Sequence, residues 1–327
     1  MSVDRTLQEG KDKFMEEPNT YKASITYYTA ELIAGKSWMI RNAFVEQSYA
    51  YCYLVEGDDY ALLIDSILGF GNLKTFCETL TDKPIIVANT HSHSDHVGGN
   101  FFFDSCYIHH RDIASFQGNM IYTKAQVVEI AKQMAPEEVQ EYIREDENFA
   151  DWKPMKVYPL YDGDEFDLGD RRIEVVDVGG HTAGSVVFID HKTRIAYAGD
   201  ACNGNTLLEL PGGLPVITYL RNLLHLKEHQ CEFDILYCGH EILQPSIIDE
   251  AIETVSRVVA GTDARCERPG IMGGTVLYAA EKIKDGYARV DGKHFNMSYD
   301  PDRVLGPLDT KQVITLPEET EEEELAD

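Results

Sequence analysis

The chain has 327 residues, of which 43% are hydrophobic and 26% charged, and this balance excludes a disordered chain or a fibre. The length suits about two domains or one large two-sheet domain. The 56 acidic residues against 29 basic ones give a net charge of −27, which disfavours nucleic acid and anionic membranes as partners.

The two ends of the chain are polar. The polar residues 1–20 have no apolar core, so we expect an N-terminal arm and no secretory signal. The sequence has no apolar run of about 20 residues, so we expect no membrane-spanning helix. Residues 317–327 carry seven carboxylates and no base, so we expect residues 316–327 to be a disordered acidic tail. The seven cysteines contain no CxxC pair and indicate reduced thiols in a cytoplasmic protein.

The first half of the chain alternates strand and helix patterns. From residue 21 to residue 66, runs rich in Tyr, Ile, Val and Leu are broken by Gly and Asp, which predicts strands joined by turns. Residues 70–80 have helical spacing, and 85–89 form a short apolar run that suits a buried strand. Helices are predicted at 111–116 and 124–146, within an insertion over 111–155. Its apolar residues either form the core of a small helical subdomain or line a pocket: Phe116, Met120, Tyr122, Met134, Phe149 and Trp152.

A second series of strands follows in the second half. Strand patterns cover 156–160, 165–168, 172–178, 185–190 and 194–200, with a later strand at 233–239 and helices at 215–228 and 245–260. Residues 207–219 predict a loop at the lip of a pocket, and 275–314 predict a small strand pair. Two sheets packed face to face with helices outside would accommodate both series of strands.

Four metal-competent side chains lie within six residues directly after the strand at 85–89. They are His91, His93, Asp95 and His96 in the segment THSHSDHVGG. In an extended stretch His91 and His93 point to the same side, and a turn at Ser94 would swing the other two toward a second point. One short loop can therefore supply two ligands to each of two zinc-like ions.

This segment resembles the THxHxDHxxG signature of the metallo-β-lactamase fold superfamily of hydrolases. The other motifs of that superfamily follow in order, each after a predicted strand: GGHTAGS with His181, AGD with Asp200 and CGH with His240. The resemblance covers roughly residues 45–260 and implies an αββα sandwich, a mixed α/β fold. We expect a single domain over 21–315, with the helical insertion and a C-terminal extension over 261–315.

The resemblance also implies a role for each motif residue. His91, His93 and His181 would bind a first metal ion, Asp95, His96 and His240 a second, and Asp200 would bridge the two. Asp95 and Asp200 are the candidate catalytic residues. The cofactors would be two divalent ions, zinc first with manganese or iron as alternatives, and a metal-bridging hydroxide would attack the acyl carbonyl of a thioester, ester or lactone.

Departures from related patterns narrow the chemistry. Histidine at position 93 disfavours the diiron flavoproteins of the superfamily, and aspartate at position 200 differs from the cysteine of some zinc β-lactamases. The set resembles glyoxalase II and lactonases, although an acidic C-terminal region disfavours glutathione thioesters. The alternatives are a mononuclear iron persulfide dioxygenase, a phosphodiesterase or β-lactam hydrolase, and a degenerate metal-binding module without activity.

Several other residues are weaker candidates. His109 or His110 could lie beside the metal pocket or simply pack, Cys202 lies two residues past Asp200, and Tyr219 or Tyr197 could donate to an oxyanion. We expect a small-molecule substrate with an apolar part, no nucleic acid and no membrane, and a homo-oligomer is left open.

Overall fold

Two mixed sheets pack face to face in the computed structural model, which describes residues 25–45, 50–118, 122–283 and 289–306. The first sheet has seven strands whose spatial order equals their chain order, antiparallel from β1 to β4 and parallel from β4 to β7. These strands are β1 (Tyr28–Ala34), β2 (Ser37–Asn42), β3 (Cys52–Glu56), β4 (Ala61–Ile64), β5 (Ile85–Ala88), β6 (Ser105–His109) and β7 (Lys156–Leu160).

The second sheet has six strands, and a third, smaller sheet has four. The six are β8 (Glu165–Asp167), β9 (Arg172–Asp177), β10 (Val186–Asp190), β11 (Ile195–Gly199), β13 (Ile235–Cys238) and β14 (Ile242–Leu243), in the spatial order β14-β13-β11-β10-β9-β8. The third sheet contains β12 (Asn205–Leu207), β15 (Cys266–Pro269), β16 (Thr275–Tyr278) and β17 (Asn296–Tyr299), in the order β12-β17-β16-β15. The predicted C-terminal strand pair is thus part of a larger sheet, because β12 joins it from a distant part of the chain.

Helices lie outside the two main sheets. They are α1 (Leu73–Cys77), α2 (Ser94–Val97), α3 (Ile113–Gly118), α4 (Lys124–Met134), α5 (Glu137–Gln140), α6 (Val216–Glu228) and α7 (Ile247–Val259). The helix predicted over 124–146 ends at Met134 because Ala135 is extended, as expected for a residue that precedes proline. Pro136 is the N-cap residue of the short α5. Among the described residues, no helix is long and apolar enough to cross a membrane.

The strands alternate between two cores, which produces the layers of the sandwich. On β10, Val187 and Ile189 pack in the core that contains α6 and α7, whereas Val186 and Phe188 pack between the two sheets. On β3, Tyr53 and Val55 face the same inter-sheet core, and the alternate residues Cys52 and Leu54 face the outer helical layer. The predicted αββα arrangement is therefore confirmed.

The apolar side chains of the insertion belong to the outer core on the first sheet. Phe116, Phe149 and Trp152 are buried there, and Tyr122 and Met134 pack against them. These five residues are therefore core residues and not a pocket lining, but the core is shared with the first sheet and is not that of a separate helical subdomain. Met120, the arm over 1–20 and the tail over 316–327 lie outside the described residues, and the domain boundaries stay a prediction.

A buried ion pair joins the two sheets at the end of the sandwich where β9 begins. The Arg171 guanidinium contacts the Asp190 carboxylate and also donates to Ser37 Oγ and the Glu56 carbonyl, so one side chain links the β2–β3 region to the end of β10. Both partners are buried.

Replacement of Arg171 by alanine should lower the free energy of unfolding by about 3–5 kcal/mol, because the carboxylate of Asp190 would remain buried without its partner. Chemical denaturation measures this change. The matched control is Arg172→Ala, whose exposed ion pairs with Glu165 and Asp167 should contribute less than about 1 kcal/mol. Equal losses in the two variants would contradict the assigned role of Arg171.

Candidate metal centre

The predicted ligands follow the C-terminal ends of four strands from two different sheets. His91, His93, Asp95 and His96 come after β5 of the first sheet, with His93 directly preceding α2. His181, Asp200 and His240 come after β9, β11 and β13 of the second sheet. Because these ends lie on the same side of the sandwich, side chains up to 149 positions apart meet at one place.

Three imidazoles form the first group of the site. Ligand-competent atoms of His91, His93 and His181 lie within 4.8 Å of one another. The Nε2 atom of His181 is 2.8 Å from the Nδ1 atom of His93. His91 and His181 are buried, so solvent has almost no access to these two imidazoles.

Asp95, His96 and His240 form the second group, whose ligand atoms also lie within 4.8 Å of one another. Asp95 Oδ2 is 3.7 Å from the Nε2 atoms of both histidines. The side chain of Asp95 and that of His240 are each 31% exposed, whereas His96 is fully buried, so the site opens to solvent on the Asp95–His240 side.

Asp200 lies between the two groups. One carboxylate oxygen, Oδ2, is 3.6 Å from His181 Nε2 and 3.3 Å from His240 Nε2. The other, Oδ1, is 3.9 Å from His96 Nε2. The structure therefore brings together all seven side chains that the motifs predict.

The ring nitrogens on the far side of three histidines are held by the protein. His91 Nδ1 is 3.1 Å from Thr90 Oγ1, His96 Nδ1 is 2.9 Å from Asp65 Oδ2, and His181 Nδ1 is 2.8 Å from the Leu207 carbonyl oxygen. These contacts fix each ring so that its Nε2 atom faces the shared space.

Several of the atoms that face this space have no partner of their own. His91 Nε2, His96 Nε2 and Asp200 Oδ1 are buried and accept or donate no hydrogen bond within the described residues. Buried polar atoms normally have a hydrogen-bond partner. These three are imidazole nitrogens and a carboxylate oxygen, which are ligand types that zinc and similar ions prefer. The residues present therefore fit a divalent cation.

Asp65 is part of the site although the motif analysis did not select it. It follows β4, is buried, and has a left-handed backbone with φ 59°. Besides the contact with His96, its carboxylate accepts from the Thr90 amide and the Thr90 hydroxyl, each at 2.8 Å. The signal that could have found it is an acidic residue directly after an apolar strand, in the segment ALLID.

Two glycines allow the strand ends to approach. A Cβ atom on Gly199, whose φ is +49°, would lie 2.2 Å from Thr90 Oγ1. A Cβ atom on Gly239 would lie 2.5 Å from His96 Cε1 and 2.6 Å from Asp200 Oδ1. The Gly-Asp and Gly-His pairs of the motifs are therefore required by packing around the site.

The surroundings shift the pKa values of the histidines in opposite directions. Burial, followed by the neighbouring imidazoles, holds the pKa of His91 well below its usual range and lowers that of His93 to about 3. Burial also opposes the charged form of His96, but Asp95, Asp65 and Asp200 together outweigh it and raise the pKa of His96 to about 10. His91 and His93 are thus already in the neutral form that binds metal.

Asp200 is ionised in this setting. Burial by itself would raise its pKa, but the charges of His240, His96 and His181 and a hydrogen bond from His240 hold that pKa well below the usual range. A full negative charge therefore lies between the two groups of ligands.

The weaker candidates lie elsewhere. The Tyr219 hydroxyl donates to the Ala201 carbonyl at 2.8 Å, and Tyr197 packs in the inter-sheet core beside Tyr53. Cys202 is buried in the core below the second sheet, and burial raises the pKa of its thiol to about 12. His109 lies 3.9 Å from Asp177, outside the ligand groups. Part of the predicted lip is core, because Leu208 and Val216 are buried.

The comparisons with known proteins agree with this geometry. The family model of the metallo-beta-lactamase superfamily matches residues 45–240, which is more than half of the chain and includes all seven motif positions. This chain belongs to the metallo-beta-lactamase superfamily. The predicted resemblance is therefore confirmed.

Curated relatives in this superfamily are distant. The human acyl-coenzyme A thioesterase MBLAC2 is 24% identical over 203 residues, which cover 57% of this chain and 71% of the relative. The hydroxyacylglutathione hydrolase of Erythrobacter litoralis is 29% identical over 153 residues, so this chain spans about half of that relative, 47%. Both are named as hydrolytic enzymes.

Solved structures show the same fold at low identity. The inverting sec-alkylsulfatase Pisa1 from Pseudomonas sp. is 13% identical with a TM-score of 0.51, over 71% of this chain and 42% of that one. The DIM-1 metallo-beta-lactamase exposed to ceftazidime is also 13% identical, with a TM-score of 0.50, over 71% and 98% of the two chains. These likenesses concern the fold alone.

Addition of Zn²⁺ to cation-free protein at pH 8 should release about one proton or more per chain. The reason is that His96, with a pKa of about 10, is protonated at that pH and must become neutral to bind. Titration in weakly buffered solution measures the release. His96→Ala should lose this proton and His225→Ala should keep it, whereas cation binding without proton release in the unmodified chain would contradict the charge assigned to His96.

Proposed function

We propose that this chain is a dinuclear metal-dependent hydrolase of acyl thioesters, with acyl-coenzyme A esters as the first substrate class to test. The observation that carries the proposal is the pair of possible ligand groups around Asp200, whose buried atoms His91 Nε2, His96 Nε2 and Asp200 Oδ1 have no hydrogen-bond partner in the part of the chain that the structure describes. The names of the two curated relatives support the choice of thioesters among the acyl compounds.

The seven side chains divide the work of holding two cations. His91, His93 and His181 would hold the first, and Asp95, His96 and His240 the second. Asp200 reaches both groups through Oδ2. When bound, such cations act as Lewis acids and make water acidic enough to serve as a nucleophile near neutral pH.

The open side of the site determines how substrate and proton move. Asp95 and His240 are the ligands with the most exposed side chains of their group, so the acyl carbonyl enters from their side. The Asp95 carboxylate lies at this opening and is the proposed acceptor for the proton of the attacking water. The buried histidines, out of contact with solvent, would position the cations.

The leaving group also favours thioesters. A thiol has a pKa of roughly 8.5, so its anion can leave without a donated proton. An alkoxide or an amine requires a general acid. Neither Tyr219, whose hydroxyl donates to the Ala201 carbonyl, nor Tyr197, in the inter-sheet core, can serve as that acid.

The cell setting is part of the same proposal. All seven cysteines lie in the described part of the chain and carry free thiols, which supports a cytoplasmic location. The charge of −27 supports a small-molecule substrate rather than nucleic acid or an anionic membrane surface. A homo-oligomer stays a prediction.

Elemental analysis of protein purified without added metal, followed by a substrate panel, tests the proposal. We expect about two divalent ions per chain and release of free thiol from acyl-coenzyme A, with slower turnover of esters and lactones. A single iron with oxygen consumption would replace the proposal by a persulfide dioxygenase. Hydrolysis of a phosphodiester or a β-lactam alone would overturn the choice of acyl thioesters.

Replacement of His181 by alanine should abolish turnover and reduce the bound cation, because the first group would keep only two of its three imidazoles. Activity and metal content are measured on the same preparation. The control is His225→Ala, which removes an imidazole that pairs with Asp162 at the surface and should change neither quantity. An inactive His181→Ala protein that retains all of its cation would refute the role of His181.

A further inference from the structure

We propose that Asp112 is a positioning residue that fastens together the two loops carrying the first-cation ligands. Asp112 ends the 3₁₀ turn His110–Asp112 that follows β6, and it is 2% exposed. It belongs to none of the motifs, and it lies outside the groups of possible ligand atoms. The inference rests on the cation site of the proposed function and is independent of the substrate.

The carboxylate of Asp112 accepts hydrogen bonds from both loops. Oδ2 accepts from the Ser92 amide at 2.9 Å and from the Thr182 hydroxyl at 2.7 Å. Oδ1 accepts from the Gly184 amide at 2.7 Å. Ser92 lies between His91 and His93, and Thr182 directly follows His181, so two of the three contacts are made directly beside a ligand, and the third, to Gly184, lies in the same loop as His181.

These hydrogen bonds span the gap between the two sheets. The loop of Ser92 extends from β5 in the first sheet, and the loop of Thr182 extends from β9 in the second. The two ligand atoms that the loops bring closest, His93 Nδ1 and His181 Nε2, are 2.8 Å apart. Because one buried carboxylate is bonded to both loops, it fixes the spacing between these ligands.

The polar and small residues of the segment HTAGS fit around this carboxylate. A Cβ atom on Gly184 would lie 2.8 Å from Asp112 Cγ, so only glycine allows the approach. Ser185 Oγ accepts from the Thr182 amide at 3.0 Å and lies 2.9 Å from the Thr182 hydroxyl, which helps to orient that hydroxyl. The neighbouring Arg111 pairs with Asp177 at 2.8 Å and so attaches the same turn to the end of β9.

The charge of Asp112 adds to its geometric role. The first group consists of three imidazoles, so a divalent cation there would be offset by the negative charge of Asp200, which is shared with the second group. The Asp112 carboxylate, held against both ligand loops by three neutral hydrogen-bond donors, adds negative charge near the first cation position. Asn at position 112 would keep the size of the side chain, remove the charge, and direct its NH₂ group at donors that need an acceptor.

Asp112→Asn tests the proposal through cation affinity rather than activity. We expect the first cation to bind about 10–100-fold more weakly and the second to bind as in the unmodified chain, since loss of a group that orients metal ligands has effects of this size. Competition with a Zn²⁺ chelator measures the affinities. The absorption bands of bound Co²⁺ identify the two positions, with His181→Ala and His240→Ala as references.

Asp190→Asn is the matched control, because it also alters a buried carboxylate but at the opposite end of β10. It should lower stability and leave both cation affinities unchanged. If Asp112→Asn does not fold, Thr182→Val decides the matter, since it removes one donor and should weaken the first cation in the same direction but by less.

The outcomes separate the two proposals. Unchanged binding of both cations in Asp112→Asn, or an equal loss at both positions, would overturn the role of Asp112. Failure of the unmodified chain to bind any divalent cation would instead overturn the proposed function.

Discussion

Within the described residues, buried ligand-competent atoms that lack a hydrogen-bond partner are the feature on which the rest of the structure depends. Each unsatisfied buried polar group costs roughly 1–3 kcal/mol, yet His91 Nε2, His96 Nε2 and Asp200 Oδ1 are all placed in one space. A fold that concentrates such costs at one point is stabilised by anything that binds there and not to the unfolded chain. Binding of a divalent cation at this point would therefore be coupled to folding.

Two carboxylates outside the ligand groups hold these atoms in place through hydrogen bonds to the ligand loops. Asp65 accepts from His96 and Thr90 on the first-sheet side, and Asp112 accepts from Ser92 and Thr182 across the gap between the sheets. Both carboxylates are buried and neither lies in the ligand groups. Hydrogen bonds of this kind orient the imidazole rings, and glycines allow the strand ends to approach each other. The positions of the possible ligand atoms are therefore set by residues around the site as well as by the ligands themselves.

Features that depend on short contiguous motifs could be predicted from the sequence. His91, His93, Asp95 and His96 follow one strand at fixed spacing, and His181, Asp200 and His240 each directly follow a glycine near a strand end. The layered fold and the convergence of these seven side chains could therefore be predicted, and their role as metal ligands stays a prediction. Asp112 could not be predicted, because it is a single aspartate outside every motif whose partners lie up to 72 residues away. The position of Asp65 directly after an apolar strand was a usable signal, but its contacts with Thr90 and His96 depend on how the strand ends meet and could not be predicted. The third sheet was missed for the same reason, since the three residues of β12 pair with β17 about 90 positions later.

The packing between the two sheets also determines the positions of the predicted ligands. The Tyr53 hydroxyl on β3 donates to the Cys238 carbonyl, and the Tyr51 amide donates to the Gly239 carbonyl at 2.7 Å, so the first sheet holds the residues just before His240. Tyr53, Tyr197 and Tyr237 fill the space between the sheets beneath this contact. Because the ligands are divided between the sheets, a displacement of one sheet against the other would move His96 away from His240 and His93 away from His181. The close packing of the sandwich is therefore what allows ligands from separate sheets to act as one site.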